Sequence, residues 1–154
     1  MQSGRCLICE RIEIIKARTN PYAVAEGETG YVVLGDHQFF HGYTLFLSKL
    51  HITELHELDE ETRRQFLWEM SEVAGAVFRA FKPRKLNYEL LGNQDPHMHW
   101  HLIPRHADDP LPNLPGYMIN ASIRNAESTK PGVAQLAELK SLLARELPAT
   151  MRRL

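Results

Sequence analysis

The spacing of apolar residues predicts three short strands in the first third of the chain. Apolar and β-branched residues form runs at 22–25, 30–34 and 43–47, and glycines punctuate these runs as they do at turns. Apolar residues are also frequent between Cys6 and Lys16, where the pattern predicts a short helical turn that leads into a strand.

Two helices follow from the same pattern. Acidic residues come directly after Asp59, as is typical of a first helical turn, and apolar residues then recur at helical spacing as far as Pro83. A second amphipathic helix is predicted from near Pro131 to Leu147, and Pro148 ends it.

The remaining β-type segments, 86–91 and 98–103, are separated by turn residues at 92–96 and are predicted to form a hairpin. Beyond Arg105 three prolines fall within six residues, which predicts a loop. These elements together predict an α+β fold in which one long helix packs on a largely antiparallel sheet.

Composition narrows the class of protein. A chain of 154 residues, 44% hydrophobic and 24% charged, is typical of one globular domain, here 1–154. The net charge of −1 supplies no basic field, so no nucleic-acid partner is expected. The first six residues lack a signal-peptide stretch and no window is apolar enough for a membrane span, which predicts a cytoplasmic protein without a membrane partner.

Four of the eight histidines fall between positions 97 and 106. Alternate side chains of a strand share a face, so a strand here would sort these residues into two sets. One face would carry His97, His99, His101 and Arg105, and the core face would carry Met98, Trp100 and Leu102.

Three imidazoles beside a guanidinium suit phosphate chemistry, because one neutral ring can act as a nucleophile while another ring donates a proton. A metal site is the alternative, since two histidines of a strand could bind one metal and Asp95 could add a carboxylate. Incidental surface histidines are a third alternative, but they leave the interleaved apolar residues unexplained.

The segment His97-Met98-His99-Trp100-His101-Leu102-Ile103 resembles the His-φ-His-φ-His-φ-φ signature of the histidine-triad family, where φ is apolar. The flanking residues 87–93 and Pro104-Arg105 and the strand segment 42–51 also resemble the family. Cys6-Leu7-Ile8-Cys9 is similar to a cysteine pair of many bacterial members. The resemblance covers about residues 6–106 and leaves 107–154 as a C-terminal extension.

This resemblance implies a five-stranded, mainly antiparallel sheet with helices, usually in a homodimer, and nucleotide hydrolysis or transfer at the α-phosphate. It implies that His99 is the nucleophile, that His101 holds phosphate oxygens and that His97 supports the nucleophile or the strand. Asn93 stands where relatives often have a glutamine near the phosphate and leaving group. The residues expected to contact substrate are Asn93, Gln94, Arg105 and Asp36.

Two positions depart from the family pattern. Tyr43 stands where many relatives have a histidine, and Gly35 stands where many have an aspartate that contacts ribose, with Asp36 next to it. Nucleoside recognition in this chain is therefore expected to differ from that of those relatives.

The Cys6-x-x-Cys9 pair allows three interpretations. A redox pair would require a thioredoxin-like context, which the pattern does not indicate. Two buried reduced thiols are a second possibility. The third comes from the resemblance, which implies a closed structural zinc site formed by Cys6, Cys9, His51 and His97. No catalytic metal is expected, and the other histidines, His37, His41, His56 and His106, are predicted to lie at the surface.

The leading functional hypothesis is a hydrolase of dinucleoside polyphosphates such as diadenosine tetraphosphate, hence an adenine-nucleotide enzyme. A nucleoside phosphoramidase shares the same chemistry. A nucleotide-binding regulator with little turnover and a metal-dependent enzyme built on the strand are the alternatives from other classes.

Overall fold

A computed structural model describes residues 6–154. Residues 1–5, part of the stretch in which the sequence predicts no signal peptide, lie outside the described residues. The helices are α1 (Leu7–Lys16), α2 (Glu60–Phe81), α3 (Ala121–Arg124) and α4 (Val133–Glu146). The strands are β1 (Ala23–Glu26), β2 (Gly30–Leu34), β3 (Thr44–Ser48), β4 (Lys85–Glu89), β5 (His99–Arg105) and β6 (Arg152–Arg153).

The strands form one antiparallel sheet in the order β4-β5-β3-β2-β1-β6. The α+β class, the antiparallel sheet and the predicted 86–103 hairpin are confirmed. The expected count of five strands is wrong by one, because Arg152 and Arg153 pair with β1 and add a sixth strand. A strand of two residues shows no alternation that a sequence pattern could reveal.

The expectation of a strand before Lys16 is also wrong, because α1 continues to that residue. Ile8, Ile12 and Ile15 are buried and spaced at i, i+4 and i+7, which is the spacing of one helix face rather than of a strand. This face packs against Tyr31 and Val33 of β2, and it covers one side of the sheet.

Helix α2 covers the other side. Asp59 caps its first turn by accepting a hydrogen bond from the N–H of Thr62. The helix ends at Phe81, and Lys82, whose φ of 49° is left-handed, follows it directly before Pro83. Helix α4 packs into the same core through Leu139 and Leu143. The C-terminal extension is therefore part of the main core. None of the helices between residues 6 and 154 is long and apolar enough to cross a membrane.

The two faces of β5 are sorted as predicted. Met98, Leu102 and the partly buried Trp100 join the α2 core. His99 and His101 pair with Leu47 and Leu45 of β3, which lie on the α1 side of the sheet. On that side a separate apolar cluster forms further along β5 from Ile103, Phe40 and Ile119. The histidines thus lie between α1 and a segment of the C-terminal extension.

Candidate active site

His99 is held in one orientation by the backbone of the same strand. Its side chain is only 6% exposed, and its Nδ1 lies 2.7 Å from the carbonyl oxygen of His97. A carbonyl can only accept, so Nδ1 carries the proton and donates. In the neutral ring the other nitrogen, Nε2, then keeps its lone pair, which is the state required of a nucleophile.

His101 is the neighbouring ring, with its centroid 4.6 Å from that of His99. Its Nδ1 lies 2.5 Å from the hydroxyl of Tyr43, and the planes of the two rings are within 10° of parallel, with centroids 6.0 Å apart. Burial raises the pKa of Tyr43 well above its usual value, so the phenol stays protonated at neutral pH and keeps its hydrogen. With that hydrogen donated to Nδ1, the neutral ring of His101 carries its own proton on Nε2.

The charge of His101 is also fixed by its surroundings. The pKa of His101 is lowered to about 4, chiefly because the ring is buried and also because His99 and Arg124 lie nearby. At neutral pH His101 is consequently an uncharged ring whose Nε2–H can donate to an oxygen atom. Its expected role as the ligand of phosphate oxygens is compatible with this state.

His97 belongs to a different cluster. It is fully buried, it precedes the first residue of β5, and its ring packs edge-on against that of His51 with centroids 5.0 Å apart. The predicted row of three imidazoles is thus divided between two sites. The side chain of His97 takes no part in the His99–His101 pair, which it supports through its backbone carbonyl.

The second cluster contains Cys6, Cys9, His51 and His97, whose ligand atoms all lie within 4.8 Å of one another. His97 Nδ1 is 3.5 Å from the sulfur of Cys6 and 3.4 Å from that of Cys9, and His51 Nδ1 is 3.1 Å from the sulfur of Cys9. Tetrahedral zinc with bonds of about 2.0–2.3 Å would separate its ligands by about 3.3–3.8 Å. The four residues therefore fit a closed Cys₂His₂ zinc site.

The outer contacts of this cluster agree with metal ligation. His97 donates from Nε2 to the carbonyl oxygen of Ser48 at 2.8 Å, which leaves the lone pair of Nδ1 directed at the two sulfurs. Cys6 also lies at the N-terminus of α1, where its sulfur accepts a hydrogen bond from the N–H of Cys9. Both cysteines are free thiols and not a disulfide.

Two of the residues predicted to contact substrate are occupied elsewhere. Arg105 is 3% exposed, and its guanidinium donates to Asp109 and to the carbonyl oxygens of Leu111 and Leu114. It thereby fixes the loop after β5. Asp36 forms two hydrogen bonds of 2.6 Å with Arg11.

Asn93 and Gln94 lie in the exposed loop between β4 and β5 that leads to His97. Asp95 is in the same loop, away from the cysteine–histidine cluster. Of the four histidines predicted at the surface, His41 and His56 are exposed, whereas His37 and His106 are partly buried.

Sequence reasoning noted Tyr43 as a departure and missed its contact with His101. It also missed Glu89 and Arg124. Glu89 pairs with His101 across the β4–β5 hairpin, so the register of the predicted hairpin could have indicated it. Arg124 comes from the C-terminal extension, where no sequence pattern indicated a site residue.

Residues 21–108 of the chain match the HIT domain. The chain is 30% identical over 107 residues to Protein hit of Bacillus subtilis, which covers 66% of this chain and 72% of that protein.

Three solved structures share the fold. A histidine triad protein from Bradyrhizobium japonicum superposes with a TM-score of 0.71 at 22% identity, covering 86% of this chain and 96% of that one. A zinc-bound histidine triad family protein from Mycobacterium smegmatis gives a TM-score of 0.63 at 21% identity, covering 91% and 94%. Plasmodium falciparum diadenosine triphosphate hydrolase gives 0.59 at 14% identity, covering 81% and 75%.

Proposed function

Since this chain belongs to the HIT domain family, we propose that it hydrolyses nucleotides at the α-phosphate through a covalent intermediate on His99. Proteins of this family bind nucleotides and are generally nucleotide hydrolases or transferases. The proposal therefore concerns the reaction of this chain, its nucleophile and its substrate.

One observation carries the proposal, the hydrogen bond between His99 Nδ1 and the carbonyl oxygen of His97. This bond fixes the tautomer, so that Nε2 is the nitrogen that keeps its lone pair in the neutral imidazole. A ring that is almost fully buried and held in this way also loses little orientational freedom when it attacks, which favours an in-line displacement.

In the first step the lone pair of His99 Nε2 forms a bond to the α-phosphorus, and the bond from that phosphorus to the bridging oxygen breaks. The leaving phosphate takes the bonding electrons. In the second step water attacks the same phosphorus, the N–P bond breaks, and its electrons return to Nε2 while the proton of the water passes to solvent. His101 donates from Nε2–H to a phosphate oxygen in both steps and so stabilises the charge that develops there.

The substrate we propose is a dinucleoside polyphosphate such as diadenosine tetraphosphate, because its leaving group departs as a phosphate anion and needs no strong acid. His101 is uncharged at neutral pH and would be a poor acid for a more basic leaving group. Asn93 and Gln94, whose loop is open to solvent, are proposed to contact the phosphate or the leaving group. His97 contributes through its carbonyl oxygen.

The Cys6, Cys9, His51 and His97 cluster is proposed to bind one structural zinc ion. Two thiolates and two imidazoles complete a tetrahedral set and leave no position for substrate, so the metal would stabilise the fold without taking part in the reaction. It would tie the start of α1 to the segment before β5, and His97 would connect this site to His99.

A homodimer is proposed from the family resemblance. Strand β4 is an outer strand of the sheet, paired only with β5 among residues 6–154, and its Tyr88 is 51% exposed. Tyr117 and Met118, which are also exposed, add apolar surface. A partner strand on this edge would satisfy the backbone groups that β4 leaves unpaired.

The test is turnover of a set of nucleotides, with the products identified by mass spectrometry. Diadenosine tetraphosphate should yield a nucleoside monophosphate, and a chelator should not inhibit over the time of the assay. Cleavage in ¹⁸O-labelled water should place the label in the monophosphate. Tight nucleotide binding without turnover would instead favour the regulator, and rapid, complete inhibition by the chelator would favour the metal-dependent enzyme.

A further inference from the structure

The C-terminal extension lies against the histidine pair. We name residues 116–130 the cap segment. The N–H of Gln38 donates to the carbonyl oxygen of Thr129 at 2.7 Å, and the ring of His37 hydrogen-bonds the hydroxyl of Thr129 at 3.0 Å. Ile119 is 4% exposed and packs on Phe40. The cap segment is therefore fixed to the loop between β2 and β3 at both of its ends.

The cap segment also borders the face of β5 that carries the histidines. Ile103 is two residues from His101 on the same face of the strand, and a Cβ on Gly116 would lie 2.9 Å from the Ile103 side chain. The same Cβ would lie 3.6 Å from Oε1 of Glu89, which is the cross-strand partner of His101. The space beside His101 is thus bounded by Glu89 and the cap segment.

Arg124 is the cation that the cap segment brings to this space. Its Nε donates to the carbonyl oxygen of Ile119 at 2.7 Å, which fixes the direction of the side chain. In the described part of the chain its two Nη groups have no hydrogen bond and no ion pair. Its positive charge helps to lower the pKa of His101. Burial raises the pKa of Tyr43 and of Glu89, and the charge of Arg124 partly reverses this rise.

A second group faces the same space without a partner. Oε1 of Glu89 is buried and accepts no hydrogen bond within residues 6–154. A buried carboxyl oxygen without a donor is costly, and the positive charge of Arg124 offsets part of that cost.

We propose that Arg124 binds the phosphates that follow the α-phosphate in a polyphosphate substrate. His99 and His101 already serve the α-phosphate, so the guanidinium that the cap segment holds at Ile119, beside Ile103 of the same strand face, is available for the next group in the chain. A planar fork of N–H donors matches two phosphate oxygens, and the positive charge offsets that of an anionic leaving group. This inference rests on the proposed function and makes the C-terminal extension the part of the chain that selects polyphosphates.

The experiment compares two ligands that differ in phosphate number. Diadenosine tetraphosphate and AMP are titrated by calorimetry into His99→Asn protein, which prevents turnover, with and without Arg124→Ala. Arg124→Ala should weaken tetraphosphate binding about tenfold to a hundredfold, as loss of charge-assisted hydrogen bonds does, and should change AMP binding less than threefold. Arg124→Lys, which keeps the charge but loses the fork, should fall between.

The matched control is Arg64→Ala, which removes a 79% exposed arginine from α2, on the other side of the sheet. It should leave both affinities unchanged, and thermal unfolding should show that every variant is folded. Unchanged tetraphosphate binding in Arg124→Ala would overturn the inference, as would an equal loss for both ligands. Absence of wild-type turnover with normal binding would contradict the proposed hydrolase and leave the result for Arg124 intact.

Discussion

The hydroxyl of Tyr43 lies 2.5 Å from Nδ1 of His101, and the two ring planes are nearly parallel. The chain therefore couples Tyr43, one of the two residues that depart from the family pattern, directly to a histidine of the triad. Because the hydroxyl occupies Nδ1, this contact leaves Nε2 as the nitrogen of His101 that is free to meet the substrate.

Replacing Tyr43 with Phe should lower kcat about tenfold to a hundredfold with little change in KM. The variant leaves Nδ1 of His101 without a donor, a loss of the size expected for a buried hydrogen bond, and the ring can then carry its proton on Nδ1 instead of Nε2. ¹⁵N–¹H NMR of the histidine side chains should show this change of tautomer directly.

Tyr22→Phe is the matched control, since the hydroxyl of Tyr22 makes no hydrogen bond among the described residues, and it should keep the wild-type rate. If Tyr43→Phe also keeps the wild-type rate and tautomer, Tyr43 only fills space.

The two departures from the family pattern depend on each other. A Cβ on Gly35 would lie 2.3 Å from the ring of Tyr43, so the phenol occupies the volume that a side chain at position 35 would need. Gly35→Ala should therefore destabilise the protein by about 1–3 kcal/mol and displace Tyr43 from His101. Urea unfolding measures the first effect, and a fall in kcat measures the second.

Gly75→Ala provides the comparison for this variant. Gly75 lies within α2, where a Cβ would approach only the flexible end of Arg79, so the substitution should stabilise the helix by about 0.5–1 kcal/mol. A Gly35→Ala protein as stable as the wild type would show that Tyr43 can move aside at no cost.

The local pattern of the chain predicted the helices α2 and α4, the strands β1 to β5 and the two faces of β5, because each of these depends on a period in the sequence. The cysteine–histidine cluster was predicted from the family resemblance, and the four ligands do lie together. The alternation rule did not predict that the ring of His97 turns away from His99, because it assumes that the strand already extends through residue 97. The resemblance, which placed His97 with the two cysteines and His51, did indicate it.

The contacts of Arg105 and Arg124 were also not predicted, and the reason is different. Arg105 lies on the expected face, but the loop that follows folds back and supplies acceptors to it. Arg124 reaches the site from about twenty residues beyond β5 in a segment without periodicity. Such contacts depend on the path of irregular chain, which a spacing pattern does not describe.

Substitution of Cys9 with Ser should remove the metal. Purified wild-type protein is expected to contain about one zinc ion per chain, and the variant should contain far less, because a hydroxyl is a poor zinc ligand beside a thiolate. Melting temperature should fall together with the zinc content. Elemental analysis of the two proteins measures the first, and calorimetry measures the second.

His56→Asn is the control for the metal measurement, because His56 is exposed and lies outside the cluster. A wild-type protein that is purified without metal and is as stable as one supplied with zinc would exclude the structural zinc site.

The strongest test of the mechanism compares His99 with His101. Removal of a nucleophile removes the covalent route, so His99→Asn should lower kcat by a factor approaching the ~10⁶ measured for the loss of a catalytic nucleophile. Loss of one donor to the developing charge costs on the order of 10²–10³, so His101→Asn should keep a measurable rate. Asn93→Ala should also keep one.

Because His99 donates to the carbonyl of His97, an asparagine at position 99 can keep that hydrogen bond through its amide, and nucleotide binding should persist. Acid quenching is unsuitable for a phosphorus–nitrogen bond, so wild-type enzyme should be quenched rapidly in alkaline denaturant and digested for mass spectrometry. The peptide that contains His99 should then carry one nucleoside monophosphate. A label on another histidine, or more activity in His99→Asn than in His101→Asn, would show that the roles of the two rings are reversed or that the reaction has no covalent intermediate at this site.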